Sequence, residues 1–324
     1  MRSGQAWNAA QAVGVATTGL LVGGLALRPE PSLFLLWKVI IPLVPAMLLI
    51  SPLLWRNVCP LATLEMIAQS LTGDRPPARR WAKQGAAVGV LLLGAMVPAR
   101  HVVFNTDGPV LAITIVAVAA MAIGGGMAFD AKGGFCNAVC PVLPVERLYG
   151  QSPFLEIENP RCATCSGCTP ACIDLGPRTA PFRALGRARR GTEWTRTVFG
   201  AFAAAFPGFV LGYFTTSDGP PGTALSTYAQ VAGWSGVSWV ATTTAVVWWR
   251  IGAREALPIL GALAAGGYYA FAAPQIAAAV GLQGAGGILR AAFLSLVAMW
   301  WWRADQRRRE AAWTRPAGQA RPAE

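Results

Sequence analysis

The sequence predicts an all-α integral membrane protein of about eight transmembrane helices. Three observations predict it. Of the 324 residues, 54% are hydrophobic and only 13% are charged, whereas a water-covered domain carries about 25% charge. The apolar residues fall into stretches of the ~20 residues that a hydrocarbon layer requires. Finally, the cations are segregated along the chain, and they give the net charge of +12 a side. This composition excludes a soluble enzyme and a disordered chain. It also gives no expectation of a nucleic-acid partner, because basicity in so apolar a chain marks cytoplasmic loops. Membrane lipid is the surrounding it calls for.

Eight spans are predicted in order: Ala9–Leu27, Leu33–Trp55, Gln84–Phe104, Pro109–Phe129, Thr197–Phe214, Tyr228–Trp249, Ala256–Ala273 and Gly284–Trp302. The first also has the build of a cleaved signal peptide, but its flank is weakly charged and no small-x-small site follows. Lys38 and Arg290 fall inside spans toward their outer ends, where long side chains snorkel. With the N-terminus inside, 23 of the 27 Lys and Arg residues lie on the inner side. The positive-inside rule then places both termini and the Asp130–Arg196 segment in the cytoplasm of a bacterial inner-membrane protein. Trp55, Trp81, Trp194, Trp248, Trp249 and Trp300–Trp302 fall at inner boundaries, as an interfacial belt would. The resulting organisation is a membrane half (1–129), a cytoplasmic loop (130–196), a second membrane half (197–302) and a basic tail (303–324). The outer connections are short and turn-rich, with no room for a periplasmic domain.

The cysteines number seven: Cys59, Cys136, Cys140, Cys162, Cys165, Cys168 and Cys172. All fall on the predicted inner side. The cytoplasm is reducing, so clustered thiols there point to metal or redox chemistry. Cys162-x2-Cys165-x2-Cys168-x3-Cys172 has the bacterial ferredoxin spacing for a [4Fe–4S] cluster. Thiolates two residues apart on a tight turn can face one cube, and Gly167 and Pro170 suit the bends. Zinc prefers two separated pairs. The ferredoxin run ends in Cys-Pro, whereas Ile173 follows Cys172. A single histidine, His101, excludes a haem held between two histidines of this chain. No Cys-x-x-Cys is followed by His, so no haem is expected.

A second signal is a repeat. Val58-Cys59-Pro60-Leu61-Ala62-Thr63-Leu64-Glu65 returns as Val139-Cys140-Pro141-Val142-Leu143-Pro144-Val145-Glu146, 81 positions later. Each copy follows an inward-running span, so helices 1–2 and 3–4 read as two repeated hairpins. In each, the proline is expected to open a helix. The cysteine is then beside free N–H groups that favour a thiolate or an anionic cluster. The second copy contains Cys136-x3-Cys140-Pro141; the first has Trp55 where Cys136 stands. Two ligand schemes follow. One cluster can sit on Cys162, Cys165, Cys168 and Cys172. Alternatively, Cys162, Cys165, Cys168 and Cys140 hold one cluster, and Cys136, Cys172 and Cys59 hold a second with a non-cysteine ligand or a missing iron.

Phe135-Cys136-Asn-Ala-Val-Cys140-Pro141, the helix-end Cys59-Pro60 and the Cys162–Cys172 run resemble the membrane iron–sulfur proteins related to NapH and NosR. The resemblance covers Leu33 to Cys172. It implies electron transfer linked to the quinone pool, or electron supply to metalloenzyme maturation, with redox partner proteins or complex subunits. The chain departs from that family in having one ferredoxin run where two are common. Its first Cys-x3-Cys-Pro is degenerate, and it has no NosR-like flavin-bearing domain.

Other residues carry weaker signals. His101 reads as an interfacial cap, and as a proton group or quinone contact in the alternative. Arg178–Arg190 reads as an inner anchor that could dock an acidic partner. Arg307–Arg309 reads as a solvated or lipid-facing tail. Glu65 and Glu146 read as solvated helix-end groups, though their repeated position also suits cluster tuning. Helices 5–8 carry small residues suited to close packing. The sequence therefore yields a membrane electron carrier first, an iron–sulfur structural or maturation subunit second and a metal transporter third. No site that transforms a substrate is visible, so no enzyme is assigned beyond a quinol-dehydrogenase-type redox subunit.

Overall fold

A computed structural model describes residues 2–72, 79–129, 132–157 and 172–308. Among them the chain is helical and has no strand. In chain order the helices are α1 (Arg2–Leu27), α2 (Pro29–Phe34), α3 (Ile41–Ile50), α4 (Pro52–Val58), α5 (Pro60–Thr72), α6 (Arg79–Ala99), α7 (Gly108–Ala128), α8 (Leu143–Tyr149), α9 (Ala180–Ala184), α10 (Val198–Thr215), α11 (Ala224–Trp249), α12 (Ala253–Ala279) and α13 (Gly286–Arg308).

Six helical stretches are long and apolar enough to cross a membrane: Gln5–Leu27, Pro29–Ile50, Gln84–Phe104, Gly108–Ala128, Val198–Thr215 and Ala253–Ala279. This is the build of a multi-pass membrane protein. The two remaining expected spans coincide with α11 and α13, which are helices of 26 and 23 residues. Serine and threonine in the first and charge in the second lower their hydropathy.

The second expected span lies about one turn too far along the chain: Leu33–Trp55 is expected, and the apolar stretch runs Pro29–Ile50. Ser51 adopts an extended backbone (φ −163°, ψ 114°) ahead of Pro52, as a residue before proline prefers. The helix stops at Ile50 and restarts as α4. Within the span, Leu35–Ile40 forms a π-turn. Pro42 lies just beyond it, and a proline cannot donate to the preceding turn. A second π-turn, Arg100–Phe104, follows Pro98 at the end of α6.

Helices α1, α5 and α7 pack together, and α10 packs on α11, α12 and α6. Close approach sets the first of these contacts. A Cβ at Gly126 of α7 would collide with the Glu65 carbonyl oxygen of α5, so only glycine permits the two backbones to meet there. In the second half, a Cβ at Gly208 of α10 would strike the Trp234 carbonyl oxygen of α11.

Within the segment expected as a cytoplasmic loop, the stretch from Phe135 to Ser152 is largely buried, while Leu155 and Leu175 are exposed. Helix α8 contacts α3 and α6 of the first half and α10 and α12 of the second. Leu148 and Tyr149 join Leu48, Leu49, Phe202, Phe206, Leu257 and Tyr269 in one core. Gln151 Nε2 donates to the carbonyls of Leu148 (2.6 Å) and Leu257 (3.1 Å). Tyr269 donates to the Pro42 carbonyl at 3.0 Å, a further tie between the halves.

The tryptophans divide. Trp81, Trp248, Trp249, Trp301 and Trp302 are exposed, as an interfacial belt requires. Trp194 and Trp300 are fully buried and Trp55 packs against the same core, so these three are packing residues and not belt residues. The basic tail is also engaged where it is described: Arg307 bonds the Pro153 carbonyl and pairs with Glu156. Arg178 pairs with the same Glu156.

The glycine contact supplies a test. Gly126→Ala should lower stability by about 1–3 kcal/mol, the usual cost of overpacking. Thermal unfolding in detergent would read it. The same change at Gly124, where an added Cβ meets nothing within 4 Å, should be close to neutral.

Candidate metal centre

The repeated sequence builds its two copies differently. In the first, Pro60 opens α5 as expected, and Cys59 is the residue between α4 and α5. In the second, Cys140-Pro141 lies in a turn and α8 begins two residues later at Leu143, with Pro144 in its first turn. The Phe135 carbonyl accepts the N–H groups of Ala138, Val139 and Cys140 at 3.0–3.1 Å. This winds Cys136 to Cys140 into a tight knot.

The fold collects the described thiols. Cys136 and Cys140 are buried in one apolar cluster with Leu53, Phe135, Leu143 and Ile173, and Cys59 packs against it. Cys172 is buried next to this cluster, with its thiol 3.9 Å from Asp174 Oδ2. All four are free thiols. Cys162, Cys165 and Cys168 lie outside the described residues. Among the described residues, no group of three or more His, Cys, Asp or Glu is arranged to hold a metal ion. The four described thiols therefore do not form a ligand set by themselves.

The residue that organises this region is Arg56, three positions before Cys59. It is 3% exposed. Its guanidinium donates to Glu146 Oε2 at 2.6 Å, to Asn137 Oδ1 at 2.9 Å and to Asp174 Oδ2 at 2.7 and 2.9 Å. Lys132 Nζ reaches Asp174 Oδ1 at 3.2 Å and the Arg56 carbonyl at 3.4 Å. Glu65 accepts from the backbone N–H groups of Phe135 (2.7 Å) and Cys136 (3.0 Å).

The bonding is reciprocal between the two motifs. The glutamate of the second, Glu146, holds the arginine that precedes Cys59. The glutamate of the first, Glu65, holds the backbone that precedes Cys140. Both carboxylates are buried, at 0% and 3% exposure, so neither is the solvated helix-end group expected. Each is a joint between the two copies.

The electrostatics reverse another expectation. Backbone N–H groups of Leu61 and Ala62 do point at the Cys59 sulfur, and that of Val142 points at Cys140. These contacts favour thiolates, but burial outweighs them. Loss of water pushes the Cys59, Cys136, Cys140 and Cys172 thiols above the usual range. The Glu65 carboxylate raises Cys136 further, and Arg56 opposes the rise. Burial likewise raises Glu65 and Glu146, with the bonds from Cys136 and Arg56 opposing it. Without a bound cation these thiols stay protonated; metal binding would have to displace the protons.

The four described cysteines and both glutamates of this region are legible in the sequence as members of its motifs. Arg56, Lys132, Asn137 and Asp174 carry no separate signal beyond the inner-side charge count, save one: in the 81-position alignment Arg56 falls on Asn137, a polar residue three places before each Cys-Pro. His101 is no simple cap either. Nδ1 lies 2.5 Å from Asp218 Oδ1, and Nε2 lies 3.0 Å from the Tyr213 carbonyl. It fastens the end of the third span to the connection after α10.

Comparison with protein-family models, with curated proteins and with solved structures gives no match to this chain.

The network predicts an ordered mutational series. Arg56→Met should destabilise by about 3–5 kcal/mol, because it leaves the Glu146 carboxylate buried without its partner and Asp174 with Lys132 alone. Arg56→Lys should recover only part of this, since an ammonium cannot reproduce the fork. Glu65→Gln, which keeps one acceptor oxygen, should cost less than Glu65→Ala. Thermal unfolding of the four variants would rank them.

Proposed function

We propose that the chain is a membrane-bound iron–sulfur electron-transfer protein of the bacterial inner membrane. One observation carries the reading: the C-x2-C-x2-C-x3-C run from Cys162 to Cys172, whose last member is anchored next to the Cys59, Cys136 and Cys140 core. The spacing suits a [4Fe–4S] cluster. Because the four described thiols form no ligand set alone, the proposed cluster draws on Cys162, Cys165 and Cys168. The fourth ligand is Cys172 or Cys140. A second cluster on Cys136, Cys172 and Cys59, with Cys140 completing the first, is the less supported scheme.

When bound, the cluster supplies one-electron chemistry. The protein's part is to exclude water from the thiols, to offer backbone N–H groups to sulfur and to place Arg56 and Lys132 nearby. These two cations favour added negative charge. The donor in this reading is a quinol or a cytoplasmic reductant, and the acceptor is a respiratory or metalloenzyme partner.

The finer architecture belongs to the same proposal. Eight spans place both termini and all seven cysteines inside, on the strength of the 23 cations gathered there. The two Val-Cys-Pro hairpins form an internal repeat. The reciprocal Glu65 and Glu146 bonds support that pairing, as do two glycines. Gly14 of α1 meets the Val58 carbonyl and Gly89 of α6 meets the carbonyls of Val139 and Cys140. A second reading, an iron–sulfur structural or maturation subunit, is favoured by how thoroughly the thiol region is bonded between the two Val-Cys-Pro motifs.

Iron and acid-labile sulfide per chain after anaerobic purification, with EPR of the reduced sample, test the proposal. About four of each and a reduced-cluster signal are expected for one cube. Replacing Cys162, Cys165 or Cys168 with Ser should abolish the signal; Cys59→Ser should leave it. Seven or eight irons would mean a second cluster. A folded sample with zinc in place of iron and sulfide would overturn the redox reading. Turnover by quinol separates the carrier from a structural subunit, which would show none.

A further inference from the structure

The two halves enclose an apolar cavity of about 330 Å³. Its volume lies within the range of small-molecule sites. It is a slot. Along α6 and the following π-turn its wall runs from Leu93 to Phe104, roughly 16 Å at ~1.5 Å per residue. That is about half of a ~30 Å hydrocarbon core, the depth of one leaflet. The inner end is closed by Trp55, Pro141, Val142 and Tyr149, beside the second Cys-Pro. The other end carries Arg100, the one charged residue of the lining.

The chemistry of that end is specific. An arginine within an apolar span is costly, and it calls for a partner. Arg100 Nε donates to Asn105 at 2.7 Å, and the guanidinium lies 4.4 Å over the Trp37 ring. A hydrogen bond to the Tyr213 hydroxyl holds it as well; these three groups orient the cation, and none of them carries a counter-charge. Lys38 lies within electrostatic range and adds a second positive charge. One carboxylate, Asp218, faces this end through Asn105 and acts on Lys38, so one negative charge is set against the two positive charges of Arg100 and Lys38. Asp218 takes His101 on one oxygen and Asn105 on the other, and Asp107 caps α7 through Val110 N. An arginine can only donate. A ligand that satisfies this end brings oxygen acceptors and negative charge.

We propose that the cavity binds one membrane lipid, an acyl chain in the slot and an anionic oxygen-bearing head at Arg100. A free fatty acid and an anionic phospholipid share that chemistry. The site is independent of the iron–sulfur reading: it needs no cysteine and no metal.

The test is native mass spectrometry of the full chain, delipidated in detergent and then offered palmitate, phosphatidylglycerol, phosphatidylcholine or decyl-ubiquinone. One palmitate or one phosphatidylglycerol per chain is the expected result, and whichever is retained identifies the source. Arg100→Gln and the slot-filling Val97→Phe should each lower occupancy at least ten-fold. Arg100→Lys, which keeps the charge, should retain binding more nearly at the original level. Ile113→Phe, on the 70% exposed lipid face of α7, should leave it unchanged. Thermal unfolding of each variant separates lost binding from lost folding, and Val97→Ala serves as the conservative pair for Val97→Phe. Three results would overturn the proposal: equal retention of phosphatidylcholine, retention of decyl-ubiquinone with the same dependence on Arg100, or unchanged occupancy in folded Arg100→Gln and Val97→Phe.

Discussion

A buried guanidinium cannot be left partly bonded, and the organisation of the thiol region follows from that. Arg56 takes Glu146, Asn137 and Asp174 as partners. These come from α8, from the turn before Cys140 and from the chain just after Cys172. Away from water, each missing bond would leave a charge or dipole uncompensated. The three stretches therefore have one mutual arrangement. Such a network is weak evidence for net stability, because desolvation offsets much of the attraction. Its effect is to select a single geometry, and that geometry brings Cys59, Cys136, Cys140 and Cys172 into one neighbourhood.

The same desolvation governs the thiols. Helix starts and turns do present N–H groups to the sulfurs, and in water that would favour thiolates. Here the apolar walls formed by Phe135, Leu143 and Ile173 remove the water first. The thiols remain protonated until a cation compensates for the lost hydration. Arg56 and Lys132 supply positive charge close by. Their carboxylate partners, Glu146 and Asp174, offset part of it.

At the other end of the molecule a second polar group is held within the apolar spans. Arg100 follows Pro98 at a π-turn, and the turn sets where its side chain emerges. His101 and Asn105, on the same turn, hold Asp218 from the connection after α10. The two ends communicate through packing: α8 between the halves, Tyr269 on the Pro42 carbonyl, and the slot running from Arg100 to Pro141.

The sequence alone determined that the chain is helical and membrane-embedded, because chain length in an apolar layer and backbone hydrogen bonding leave little else. It placed six of the spans to within a few residues. It also singled out the cysteines, since the spacing in a ferredoxin run is local. It could not give the stop at Ser51, where the residue before a proline competes with a continuing apolar run. Trp194 and Trp300 read in sequence as belt residues and are buried in the fold, because composition does not say which face of a helix is covered by protein. Glu65 and Glu146 read in sequence as solvated groups because the partners that bury them lie 70 and 90 positions away. Arg56 looked like any loop cation for the same reason. What only the tertiary structure decided is which polar groups share a buried site, because desolvation and hydrogen bonding act on neighbours in space and not in sequence.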